Sequence, residues 1–167
     1  MRPIQRIQLV AERTGRWACW LALAMAITTL IVVLLRYGFR VGSIPLQESV
    51  LYMHAALVLL GLSFTMKHDS HVRVDIVYSR LDQRQRSWIN LIGHAVFLLP
   101  VCFAVIWFSL PYASNSWRVL EQSVEVSGLP AVFLLKSLIP LSASLLAIQA
   151  FAEALKHAAN LRRRSDA

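Results

Sequence analysis

The sequence predicts an all-α membrane protein with four transmembrane helices, both termini in the cytoplasm, and a cytoplasmic interfacial segment between helices two and three. Three observations predict it. Hydrophobic residues make up 57% of the chain, against about 45–50% in soluble domains, and mean hydropathy is +0.55. The apolar residues gather into long runs of about 20 residues, the length that crosses ~30 Å of hydrocarbon. The basic residues gather in alternate connecting segments. Four such spans leave little of a 167-residue chain for anything else. Residues 1–167 are therefore expected to form a single membrane domain.

Helix one is expected over about Arg16 to Leu35, closed by Arg36-Tyr37-Gly38 with Gly38 as its C-terminal cap. Its basic approach and Ala24-Met25-Ala26 resemble a signal peptide. The apolar run is longer than the about 7–15 residues of such a peptide, however, so a retained helix is expected. After a loop containing Pro45, helix two is expected over about Gln47 to Met66. A polar loop follows, Lys67 to Ser87. Helix three is expected over about Trp88 to Leu110, with Pro100 inside it. A second polar loop, Pro111 to Pro130, leads to helix four, about Ala131 to Phe151, with Pro140 inside it. Prolines are tolerated in spanning helices where neighbours satisfy the freed carbonyls, so kinks are expected near both.

Charge sets the orientation. Thirteen of the seventeen Lys and Arg fall in the N-terminal segment, the second connection and the C-terminal tail. Only Arg36, Arg40 and Arg118 fall on the other side, and Lys136 lies just inside helix four, where it can snorkel outward. Cytoplasmic segments carry the excess of Lys and Arg, so both termini are expected inside. The net charge of +8 needs no nucleic acid to explain it, because no basic face is separable from the membrane-flanking segments. Trp17, Trp20 and Trp88 fall at one set of helix ends, and Tyr37, Tyr52, Trp107, Tyr112 and Trp117 near the other. That is the aromatic belt of a membrane interface.

Little in the chain suggests catalysis. There is no GxSxG, HExxH, P-loop or GxGxxG pattern. Cys19 and Cys102 sit apart in apolar runs and read as small hydrophobes. His54 and His94 are ionisable groups inside spans, which makes them functional candidates. From opposite entry points their depths differ by roughly 10 Å, too much to share one haem iron. A neutral His, bonded inside the bundle or to a partner subunit, is the simpler reading. The run His68-Asp69-Ser70-His71-Val72-Arg73-Val74-Asp75 has metal-binding residue types without a converging set. A membrane-surface element suits it better, with Val72, Val74, Ile76, Val77 and Leu81 in the interface and Arg73, Arg80, Arg84 and Arg86 on lipid phosphates or a partner. Glu48 opens helix two, where it complements the helix dipole or meets a partner, Arg36 or Arg40. Glu121 and Glu125 read as a solvated i, i+4 face. No metal or cofactor is expected. The central stretches, such as Ala55 to Leu60 and Val101 to Ile106, are apolar, whereas transporters place polar groups or broken helices near the midplane.

Taken in order, several fragments resemble the small (Q) membrane subunit of tripartite ATP-independent periplasmic (TRAP) transporters. These are Arg36-Tyr37, Pro45-Leu46-Gln47-Glu48, Leu60-Gly61, Lys67-His68-Asp69, His71-Val72-Arg73-Val74-Asp75 and Gly128-Leu129-Pro130-Ala131. Pro111-Tyr112, Ser116-Trp117 and Leu134-Leu135-Lys136 look like the branch labelled for mannitol or chloroaromatic compounds. Gln47 departs from the Trp or Ser that many members carry there. The resemblance implies a small permease subunit in a bacterial inner membrane. Its partners would be a large (M) permease subunit, a periplasmic substrate-binding protein and the lipid bilayer. It implies a scaffold for sodium-driven uptake of an organic acid or related solute. Arg36, Tyr37, Glu48, His54, His71, Arg73, Asp75, Pro130 and Lys136 become candidates for partner or membrane contacts. Two other readings compete: a self-sufficient four-helix exporter and a haem-anchoring subunit. The exporter needs a carboxylate within helix one, and none occurs between Trp17 and Leu35.

Overall fold

A computed structural model describes residues 2–67 and 81–165, with side chains for residues 17, 19–66, 81–159 and 161. The described residues form helices α1 (Arg2–Gly38), α2 (Ile44–Lys67), α3 (Gln83–Ile92), α4 (Leu99–Arg118) and α5 (Val132–Ser165). A π-helical stretch, Gly93–Leu98, joins α3 to α4 into one continuous rod. No strand occurs among the described residues. Among the described residues four helical stretches are long and apolar enough to cross a membrane: Cys19–Gly38, Ile44–Met66, Gln83–Arg118 and Val132–Ala159.

Each span outgrows its expected limits. Helix α1 begins at Arg2 and has 37 residues, so it is about 55 Å long. The basic N-terminal stretch continues the spanning helix. At its far end the left-handed residue is Arg40, φ 56°, and not Gly38. The amides of Phe39 and Val41 both donate to the Leu35 carbonyl, at 3.2 and 3.0 Å. The turn therefore closes two residues later than a glycine cap would place it. Pro45 then sits in the first turn of α2, where its missing N–H costs nothing.

The third span runs through Pro111, which the sequence reading makes a boundary. Its buried residues explain why. Cys102, Ser109, Ala113 and Ser116 are spaced seven, four and three apart, one continuous helical stripe. Ser114 and Ser116, polar enough to suggest a loop, continue that helix, and Ser116 is 2% exposed. The irregularity expected at Pro100 takes the form of the π-helical stretch before it. Leu99 donates to the carbonyl of His94, five residues back. A widened turn there accommodates a ring that would meet the carbonyl of Val96 in a regular α-helix.

Helix α5 is the hub. It packs against α1, α2, α3 and α4, whereas α1 packs chiefly on α2. Its buried residues include Ala143, Ala147, Ala150, Ala152 and Ala154, small side chains that let neighbouring helices approach closely. Leu134, Leu141, Ile148 and Leu155, seven residues apart, form its exposed edge. No residue in the apolar window of α1 is buried. This is an open sheaf around α5, with most apolar side chains facing outward as lipid contact requires.

Candidate functional site

A set of polar contacts joins the α1–α2 and α4–α5 connections. Glu48, in the second turn of α2, reaches across to the α4–α5 connection. Its carboxylate accepts a hydrogen bond from the Ser123 hydroxyl and one from the Leu129 amide, at 2.5 Å for the latter. The connection is thus pinned at two points, Ser123 and Leu129. It also closes on itself, with Ser123 N–H donating to the Leu129 carbonyl at 3.3 Å. A Cβ on Gly128 would collide with Ser123 and with the Glu48 carboxylate, so glycine is required there by close approach. Sequence reasoning assigned Glu48 to the helix dipole, to Arg36 or Arg40, or to a partner. The structure gives it the loop, and Arg36 donates instead to Gln47 Oε1 at 3.1 Å.

A second tie secures the same connection. Lys136 Nζ lies 2.5 Å from Glu121 Oε2 and 4.1 Å from the centroid of the Tyr112 ring. Lys136 therefore joins α5 to the start of the connection; it does not snorkel alone. The lysine's hydrogen bond holds the Glu121 carboxyl below the usual carboxylate range. Glu125 lies in irregular chain, so the i, i+4 face expected with Glu121 does not exist; its amide donates to Ser123 Oγ at 3.1 Å. Trp117 Nε1 donates to Ser137 Oγ at 2.7 Å, and its ring stands edge-on to Phe133 at 4.6 Å. Leu120 ends α4 in a Schellman arrangement, with Glu121 N–H on the Ser116 carbonyl and Leu120 N–H on that of Trp117. Leu120 takes the left-handed position there, φ 45°.

The remaining candidates scatter. His54 faces outward on α2, away from α1 and α5. His94 lies in the π-helical stretch with its ring 6.0 Å from that of His157 on α5. The two histidines weighed as a pair are thus on separate surfaces. Tyr37 is exposed at the α1 terminus and Pro130 is exposed just before α5. His71, Arg73 and Asp75, with the interfacial segment they define, lie outside the described residues. Among the described residues no group of three or more His, Cys, Asp or Glu could hold a metal. The Ser123, Leu129 and Gly128 contacts and the His94–His157 pair escaped sequence reading. Each joins residues far apart in the chain and carries no local pattern.

The chemistry of this arrangement is structural. Glu48 and Glu121 are engaged in tying a loop down, one through Ser123 and the Leu129 amide and the other through Lys136. A family model for the DctQ component of tripartite ATP-independent periplasmic transporters matches residues 25–160. The chain belongs to the DctQ family. The match takes in the later part of the first span, the other three spans and both ties of the α4–α5 connection. DctQ components are transporter subunits, not enzymes. This DctQ component is 30% identical over 95 residues to the C4-dicarboxylate TRAP transporter small permease protein DctQ of Vibrio cholerae serotype O1. The alignment covers 57% of this chain and 38% of that protein. No solved structure matches the chain.

Proposed function

We propose that this chain is the small permease subunit of a TRAP transporter and acts as a fixed scaffold beside a large permease subunit. One observation carries the reading: the buried polar side chains described are Ser63, Ser87, Ser109, Ser116, Ser142 and Gln149, none of them ionisable. A substrate path through the bundle would need polar or charged groups converging near the midplane. Here Glu48, Glu121 and Lys136 tie down the α4–α5 connection, and Glu153 and Lys156 pair with each other near the far end of the α5 span, beside Gln149.

In this reading the large subunit moves the solute, a periplasmic binding protein delivers it, and a sodium gradient drives uptake. The Vibrio cholerae relative is named for C4-dicarboxylates, which supports an organic acid or related solute. Pro111-Tyr112, Ser116-Trp117 and Leu134-Leu135-Lys136 favour the mannitol- or chloroaromatic-labelled branch. The bias of Lys and Arg supports both termini in the cytoplasm of a bacterial inner membrane. His71, Arg73 and Asp75 would then meet the inner headgroups.

Reconstitution tests the reading. Liposomes holding the purified chain alone should take up no organic acid under a sodium gradient, and adding the large subunit and binding protein should give uptake. Sodium-driven uptake by the chain alone would overturn it.

A further inference from the structure

The exposed residues Gln47, Leu51, His54 and Val58 of α2 are spaced four, three and four apart, so they form one stripe along the helix. The opposite faces of α2 pack on α1 and α5. Leu51 and Val58 suit lipid, being 56% and 48% exposed. His54 does not. It lies about 10 Å along the axis from Gln47, well within the apolar span, and makes no hydrogen bond to a described residue. Lipid tails offer an imidazole neither donor nor acceptor, and ionisable groups in spans are found against protein or water. At the rim of the same stripe, Arg36 is bonded to the neutral Gln47 amide and makes no ion pair with a described residue.

We propose that this stripe of α2 is the seat of a transmembrane helix of the large permease subunit. That helix carries a hydrogen-bonding side chain level with His54 and an acidic or carbonyl acceptor facing Arg36. The charge argues against a second copy of this chain: a two-fold pair through this stripe would set Arg36 against Arg36. The proposal rests on the scaffold reading and adds to it which face of the subunit is covered.

The test uses the tagged chain co-expressed with the large subunit, carrying a benzophenone amino acid at one position. Leu51 and Val58 probe the stripe, and Phe103 and Trp107 probe the outward face of α4, where they are 63% and 76% exposed. Illumination should join positions 51 and 58 to the large subunit, with little adduct from 103 and 107. Adducts from 103 or 107 alone, or a dimer of this chain from 51 or 58, would overturn the assignment while leaving the scaffold reading intact. Failure of the two subunits to co-purify would overturn both. In parallel, His54→Phe should lower recovery of the large subunit about fivefold, and His54→Asn should retain most of it. Full recovery with His54→Phe would also overturn the assignment.

Discussion

Single residues fasten the α4–α5 connection, and their loss should be felt there. Glu48 accepts bonds from Ser123 and from the Leu129 amide, so Glu48→Ala leaves both donors unsatisfied at a half-buried site. We expect a cost of about 1–3 kcal/mol, read as a lower unfolding temperature in detergent, with new proteolytic cleavage between α4 and α5. Glu121 responds to pH. Its folded-state carboxyl is held below its ordinary value by Lys136, so its stabilising contribution is present above the unfolded value of about 4.3 and is lost as pH falls through the folded one. Glu121→Gln should therefore lower the unfolding temperature at pH 7, and the difference from the parent should vanish in acid. Leu120 works the other way. It pays for a left-handed φ of 45° with a side chain that is 58% exposed. Leu120→Gly should raise stability by about 1 kcal/mol in a thermal-shift measurement.

Among the elements, α5 carries the packing. Ala150 is fully buried where α5 meets its neighbours. Ala150→Leu forces those helices apart and should cost about 1–3 kcal/mol, whereas Ile148→Leu on the exposed edge should leave the unfolding temperature unchanged. Four spans were legible from the sequence because apolar length is a local property. Their limits were not. Pro111 reads as a breaker, yet the stripe of Cys102, Ser109, Ala113 and Ser116 needs α5 opposite it to make sense. Gly38 reads as a cap, yet Arg40 takes the left-handed turn. Arg2 to Arg16 reads as a basic segment ahead of the first helix, yet it continues α1, because charged residues outside the hydrocarbon do not oppose a helix already nucleated within it. The sequence offers the helix dipole, Arg36, Arg40 or another subunit as partners for Glu48, but the groups it bonds lie 75 and 81 positions away and only the fold brings them together.

The whole molecule is an open sheaf. It has one helix packed on most of its sides, a first helix with an apolar window that is nowhere buried, and Glu48, Glu121 and Lys136 engaged at the α4–α5 connection. Such a shape suits a subunit that lies between lipid and a larger neighbour. It does not suit a self-contained carrier, which needs a polar chamber enclosed by its own helices. The most direct measurement of the central claim is the composition of the complex formed in the membrane. The tagged chain, co-expressed with the large permease of the same transporter and purified in mild detergent, should elute with that permease in equal molar amounts. Elution of a correctly folded chain as a free species, with the large permease left fully active in its absence, would contradict the account.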